Sequence, residues 1–168
     1  MADTITKIDP KRSFRTAMSN YATGVALITA GGPGQDCGFA VNSLTSVSLS
    51  PTMLLFCPAR SSSSWATIAS IGSFCVSLLA ADQERVARTF SARCDDRFAC
   101  STWTRTPMGH PALADGLAWI ECSVRSVHIA GDHDVVIAEA TAWHCDLGDS
   151  DPLIFFAGQY RQIHADQR

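Results

Sequence analysis

Three groups of side chains carry residue types and spacings that chemistry can use. In the first, Val41-Asn42-Ser43-Leu44-Thr45-Ser46, four neutral polar side chains sit between apolar runs, where a hairpin connection needs only about two residues. Asn, Ser and Thr supply donors and acceptors without charge, which suits the edge of a heterocyclic ring. In the second, Arg60 and the serines Ser61, Ser62, Ser63 and Ser64 stand just ahead of Trp65, Ile68 and Ile71, whose spacing predicts an amphipathic helix. A helix start with a cation, several hydroxyls and unpaired N–H groups favours a phosphate. Taken alone, the same serines read first as ordinary helix caps. The third is the turn Gly131-Asp132-His133. A turn histidine is commonly only a solvated loop residue, although imidazole titrates in the range where a proton can be held or released near neutral pH.

Other conspicuous residues carry less. Gly31-Gly32-Pro33-Gly34 does not have the G-x-G-x-x-G spacing and precedes a strand, so it reads as a hairpin loop and not as a phosphate loop. His110, His128, His144 and His164 show no metal-ligand pattern. The seven cysteines are odd in number and contain no C-x-x-C pair, which argues against zinc and against a disulfide framework. Cys37, Cys57, Cys75 and Cys122 fall within apolar strand-like runs, as a free thiol does when it packs as a small hydrophobe. That usage implies a reducing compartment.

The elements that must position these groups follow from periodicity. Asp9-Pro10 predicts a helix start, with Phe14, Ala17 and Met18 on the helix and Lys11, Arg12 and Arg15 solvated. Ala22 to Ala30 predicts a strand. The apolar, β-prone runs Gly38 to Val41 and Met53 to Cys57, broken by Pro51 and the serines before it, predict a hairpin or meander. Phe74 to Leu79 is another strand, and Asp82 to Phe90 a short helix with Asp82 as its cap. Between Ser91 and Gly116 the pattern fails, with Arg93, Asp95, Asp96, Arg97, Phe98, Trp103 and His110 scattered among prolines. A loop of that length in a compact domain is often functional. Leu117 to Ile129 alternates, placing Ala118, Ile120, Cys122 and Val124 on one face and Glu121, Ser123 and Arg125 on the other; Val135 to Trp143 returns beside it across the Gly131-Asp132-His133 turn. Leu153 to Phe156 is a last strand before Gly158-Gln159-Tyr160-Arg161. The pattern is mostly β with flanking helices and predicts a small closed β-barrel with helical decoration.

Composition sets bounds. A chain of 168 residues fits one domain, 1–168 with its core at about 13–161. The 46% hydrophobic and 17% charged content fits a soluble protein short of charged surface, as when a second subunit covers part of it. A net charge of -3 without a Lys/Arg cluster argues against nucleic acid and anionic membranes. The opening MADTITKIDPKRS lacks a hydrophobic leader segment, and no run reaches the roughly eighteen apolar residues of a membrane span, so a cytoplasmic location is expected.

The run GFAVNSLTSVSLSP followed by LLFCPARSSSSW resembles the flavin-binding core of the flavin reductase family, short-chain NAD(P)H:flavin oxidoreductases with an FMN-binding split β-barrel. The chain is similar to the reductase components that feed reduced flavin to two-component monooxygenases. FRTAMSNYATGVALIT, LAADQERVARTF, DRF, LAWIECSV, HIAGDHDVVIAE and GQYR stand in the family's order, so the resemblance runs from about Ser13 to Arg161.

The resemblance implies a flavin, FAD or FMN, held by Ala40, Val41, Asn42, Ser43, Ser46, Cys57 and Ala59, with Arg60, Ser62 and Ser64 on its phosphate. It implies NADH or NADPH as hydride donor, Tyr160 and Arg161 as contacts to the nicotinamide dinucleotide, and His133 as the catalytic residue facing the nicotinamide, its tautomer oriented by Asp132. It further implies a homodimer and a partner monooxygenase that receives reduced flavin. Under the resemblance, the 91–116 loop is either a surface arm clasping a neighbouring subunit or a cover over flavin or nicotinamide. Two other readings share the barrel: a non-catalytic flavin-binding module, and an FMN-dependent oxidase of the pyridoxamine-phosphate type. The sequence departs from the family at Thr52, where a second proline is frequent, and at Ala138, where glycine is frequent and an added methyl bears on pocket width.

Overall fold

β-Branched and aromatic runs pair with their neighbours wherever the chain can turn back on itself, and the alternating segments all become strands. In the computed structural model, which describes residues 9–31, 35–92, 94, 96–145, 148 and 150–163, α1 (Pro10–Met18) leads into β1 (Thr23–Gly24), β2 (Ala26–Ala30), β3 (Cys37–Val41), β4 (Thr45–Leu49) and β5 (Thr52–Phe56). Then come α2 (Ser63–Ile71), β6 (Ser73–Leu78), a 3-10 turn (Ala81–Gln83), α3 (Glu84–Ser91), a second 3-10 turn (Arg97–Cys100), β7 (Trp103–Arg105) and β8 (Pro111–Leu113). The long hairpin β9 (Ala118–Ala130) and β10 (His133–Cys145) precedes β11 (Ile154–Phe156) and β12 (Gln159–Arg161). Residues 32–34 of the expected Gly-Gly-Pro-Gly loop, Arg93 and Asp95 of the long loop, and His164 lie outside the described residues.

Seven strands form one antiparallel sheet in the order β3-β2-β6-β9-β10-β5-β4. It curls so that Phe39 on β3 meets Phe56 on β5, ring centroids 6.3 Å apart. Phe56 in turn sits edge-on to Trp65 at 5.7 Å and to Phe74 at 5.2 Å, and all three are buried. Removing a side chain of this kind from such a core costs about 3–5 kcal/mol. The outermost strands, β3 and β4, are consecutive in sequence yet share no ladder, so the closed barrel expected from periodicity is corrected to a split one. The link between them turns to β5 instead: the Ser43 hydroxyl accepts from Cys57 N–H, just past the end of β5, at 2.9 Å.

The expected hairpin of 38–41 with 53–57 is likewise replaced. Thr45–Leu49 is itself a strand and pairs with β5, while β3 pairs with β2. Alternating hydroxyl and apolar residues with Thr and Val among them make an acceptable edge strand, a reading that the polarity of the segment obscures. Asp82 is exposed and caps nothing; the Gln83 carboxamide accepts from Ala80 N–H at 2.9 Å and donates to the Asp115 carbonyl at 2.8 Å, holding the start of that segment instead. Asp9 caps α1 as expected, accepting from Lys11 N–H at 3.0 Å.

A second apolar cluster, containing Val25, Leu27, Leu79, Phe90, Leu113 and Leu153, lies outside the barrel. The segment 91–116 is packed here: Phe98 and Trp103 lie 5.1 Å and 5.4 Å from Phe90, and the Trp103 indole N–H donates to the Phe98 carbonyl at 2.8 Å. Beneath it Glu121, expected on the solvent face of β9, is buried and accepts from Met108 N–H at 2.8 Å. The segment covers that face of the strand, which inverts the simple alternation. His110 is also buried, between Ser73 Oγ at 2.9 Å and the N–H of Gly31 at 3.4 Å. Cys75 and Cys122 are buried, Cys37 and Cys57 half-buried, as their apolar contexts suggest. Ala138 faces the core between Leu54 and Val124, fully buried, so its methyl lies against protein side chains. Thr52 uses its hydroxyl to donate to the Ala140 carbonyl at 3.1 Å.

Candidate functional site

Helix α2 starts where the sequence places it. Ser62 is the N-cap, its hydroxyl accepting from Trp65 N–H at 3.2 Å, and Trp65 and Ile68 bury the helix against the barrel. The cap consumes one hydroxyl only: Ser61 and Ser64 make no side-chain hydrogen bond among the described residues, and the N–H groups of Ser63 and Ser64 are first-turn donors without an intrahelical partner. Arg60 is tethered beside them, its N–H donating to the Asp132 carbonyl at 3.0 Å and its Nε 3.6 Å from Asp134 Oδ1. The Arg60 side chain remains about half exposed, 49%. A cation, free hydroxyls and two helix N–H groups on one rim form a donor set that fits a phosphate.

The His133 turn is fastened to the same rim. Ala59 bridges His133 in antiparallel fashion, and Asp134 N–H donates to the Pro58 carbonyl at 3.0 Å. Gly131 supplies the left-handed conformation, φ 69°, that a two-residue turn between β9 and β10 requires. His133 Nδ1 lies 2.8 Å from Asp132 Oδ1. That hydrogen bond, more than the charge of the imidazole, holds the Asp132 carboxyl below its ordinary pKa. An ionised carboxylate can only accept, so Nδ1 is the nitrogen that carries the proton in this bond, and Nε2 faces away from Asp132.

Asp134 is a residue that motif reading passes over. Its Oδ2 accepts from the Trp65 indole N–H at 2.8 Å while Oδ1 faces Arg60, so one carboxylate ties β10, α2 and the loop before α2 together. The signal was available: in the alternation of β10, Asp134 falls on the face of buried Val136 and Ala138.

At the other end of the polar link, Ala40, Val41 and Asn42 line a cavity of about 120 Å³ with Tyr160, Phe155 and Ser91. The structure thus brings Tyr160 to Asn42, across more than a hundred residues of sequence. Ser43 and Cys57 join Asn42 to Pro58, Ala59 and Arg60, giving one continuous rim from Tyr160 to the start of α2. Two expected site residues stand apart from it. Ser46 lines a different, largely apolar cavity of about 400 Å³ with Leu49, Met53, Ile120 and Trp143. Arg161 is exposed and pairs with Ile154 in the small β11·β12 ladder. Of the two alternatives for the 91–116 loop, its packing on Phe90 places Phe98 and Trp103 in the second cluster, with neither ring lining the cavity at Asn42. No helix among the described residues is long and apolar enough to cross a membrane.

Known proteins share this geometry and sequence. Residues 18–164 match the family model described as the flavin reductase like domain. The chain is 42% identical over 160 residues to HsaB, the reductase subunit of a flavin-dependent monooxygenase from Rhodococcus jostii, covering 95% of this chain and 81% of that one. Component B of nitrilotriacetate monooxygenase from Mycobacterium thermoresistibile superposes with a TM-score of 0.89 at 35% identity, over 94% of this chain and 90% of that one. The NADH:FAD oxidoreductase SgcE6 of Streptomyces globisporus, solved with NAD and FAD fragments, gives a TM-score of 0.89 at 29% identity over 96% and 98%. A split barrel, a polar rim that reaches a serine-capped helix and a match over nearly the whole chain lead to one assignment: the chain belongs to the flavin reductase like domain family.

Proposed function

We propose that the protein is an NAD(P)H:flavin oxidoreductase that reduces FAD or FMN and delivers the reduced flavin to a separate flavin-dependent monooxygenase. The observation that carries this reading is the continuous rim from Asn42 through Ser43, Cys57 and Arg60 to the unpaired donors of α2, with the His133 turn bonded onto it. Its relatives support it: HsaB is the reductase subunit of a monooxygenase, and SgcE6 is an NADH:FAD oxidoreductase.

When bound, flavin and nicotinamide supply the hydride chemistry, and the protein contributes position and electrostatics. Arg60 with the Ser63 and Ser64 N–H groups holds phosphate charge, and the Ser61 and Ser64 hydroxyls complete its coordination. Asn42 and the backbone of Ala40 and Val41 border the ring edge. Ser43 acts through Cys57: its hydroxyl fixes the two chain segments that form the rim. His133 keeps its proton on Nδ1 against Asp132 and presents Nε2 at the mouth, where it orients the hydride donor. Tyr160 forms the wall beyond Asn42.

The reading includes a homodimer. Leu49 is 87% exposed, Ile129 71% and Trp143 60%, an unusual display of large apolar side chains for a chain with so little charge. Steady-state oxidation of NADH or NADPH that rises and saturates with added free FAD or FMN tests the activity. A retained flavin with no turnover of either nicotinamide would reject it in favour of a storage role. Sedimentation that yields a monomer mass would remove the dimer.

A further inference from the structure

Beyond Asn42 the surface continues away from α2. The small cavity at Asn42 shares Ser91, Phe155 and Tyr160 with a shallower one of about 360 Å³, whose outer rim is Arg88. The Arg88 guanidinium lies over the Tyr160 ring, 4.9 Å from its centroid, and its Nε donates to Glu84 Oε1 at 2.7 Å, one turn earlier on α3. Both side chains are open to solvent, 63% for Arg88 and 45% for Glu84. Along this groove stand a neutral polar edge (Asn42), two hydroxyls 3.4 Å apart (Ser91 and Tyr160), an aromatic ring and Arg88, with Glu84 behind Arg88 as its ion-pair partner.

This arrangement suits one end of a dinucleotide. With the flavin phosphate seated at α2, any adenylate extension of the flavin leaves from that side of the rim. The groove past Tyr160 is therefore open to the other dinucleotide. We propose that the Glu84–Arg88 pair reads the 2′ position of the adenosine ribose in the nicotinamide cofactor and selects NADH over NADPH. The proposal rests on the reductase reading above. A carboxylate accepts from a ribose 2′-hydroxyl and repels a 2′-phosphate. An unpaired arginine would do the opposite, since guanidinium groups are strong phosphate partners. Here the charge of Arg88 is met by Glu84 and its face by Tyr160, so the phosphate-seeking capacity of the arginine is held down by the acid one turn away.

The test uses the full chain and three forms: wild type, Glu84→Gln, and Glu84→Gln with Arg88→Gln. With saturating FAD, wild type should show a higher kcat/KM for NADH than for NADPH. Glu84→Gln should raise the NADPH-to-NADH ratio by about tenfold, the size of a single charge-assisted contact. That gain should sit in the KM for NADPH and shrink as salt is added, as a screened charge effect must. The double variant should return the ratio to near its starting value. In parallel, calorimetric binding of 2′,5′-ADP should tighten about tenfold in Glu84→Gln while 5′-AMP stays within about twofold. A ratio that moves less than twofold in Glu84→Gln, or a wild type that prefers NADPH, overturns the proposal. If wild type oxidises neither nicotinamide with either flavin, the reductase reading fails separately, and the 2′,5′-ADP titration still decides: no tightening in Glu84→Gln sinks the selectivity assignment as well. Both positions are exposed on α3, and matching thermal unfolding midpoints establish that the variants are folded.

Discussion

The indole N–H of Trp65 donates to Asp134 Oδ2 at 2.8 Å, a bond between the first turn of α2 and the start of β10. Because the other oxygen of the same carboxylate faces Arg60 at 3.6 Å, the orientation of the helix and that of the cation are coupled through one side chain. Replacing Asp134 by Asn preserves an acceptor for the indole but removes the charge beside Arg60; replacing it by Ala removes both. The alanine variant should lose about 1–3 kcal/mol, the cost of stranding a buried donor, while asparagine should lose less than half of that. Chemical denaturation measures the difference, and equal losses in the two variants would show that the indole bond is not what the carboxylate holds.

Arg60 should act on phosphate and little else. Arg60→Ala is expected to weaken FMN binding by about 10- to 100-fold, the range of a charge-assisted contact to phosphate, and to leave riboflavin, which lacks the phosphate, nearly untouched. Flavin fluorescence titration reads both ligands. A parallel loss for riboflavin would place Arg60 near the ring or in the fold.

The Asp132–His133 pair has a pH signature. The hydrogen bond from His133 holds the Asp132 carboxyl below its ordinary value. A depressed acid pKa means the interaction is fully present above the unfolded carboxyl pKa and is lost as pH falls through the lowered folded value. In carboxyl-detected NMR, Asp132 should titrate below the ordinary aspartate range in wild type and return to it in His133→Ala. The same variant should lower kcat with little change in flavin affinity, whereas an unchanged turnover would free His133 of its assigned role.

Burial pushes the thiols of Cys75 and Cys122 up to about 12. A raised pKa leaves folding unaffected below pH 9 and withdraws stability as pH climbs toward 12, since only the unfolded chain then ionises, at about 1.4 kcal/mol per pH unit for each group. Native protein should therefore react with a thiol reagent first at exposed Cys94 and Cys145, and at Cys75 and Cys122 only with unfolding. Mass mapping of the labelled cysteines checks the order; early labelling of Cys122 would contradict its burial.

Local elements were legible because they are written in local chemistry. Asp9 before Pro10, the serine cap before Trp65 and the long strand over 118–130 all emerge as read, although the faces of that strand do not. The rim itself could be named from its motif, from Asn42 to Ser64, because family resemblance preserves order along the chain. What sequence could not show were relationships set by tertiary packing. Thr45–Leu49 looks like a polar turn until β5 is present to pair with it. Glu121 looks solvated until the 91–116 segment folds over it and Met108 donates to it. Tyr160 reaches Asn42, and Ser46 turns to a separate apolar cavity, only because of how the small β11·β12 ladder and the β4 edge are placed against the barrel.

The seam between β3 and β4 sets how the rim can breathe. Elsewhere, parting two strands means breaking a run of backbone hydrogen bonds, as at β6 against β9. Behind this seam the contacts from β3 and its link to β5 are the Phe39 and Phe56 rings and the Ser43 hydroxyl on Cys57. A binding site with one edge that no strand ladder closes can loosen there without global unfolding, which is the property a protein needs if its flavin must come and go as a reactant. Backbone amides flanking the seam should accordingly exchange with solvent long before those of the β6·β9 ladder.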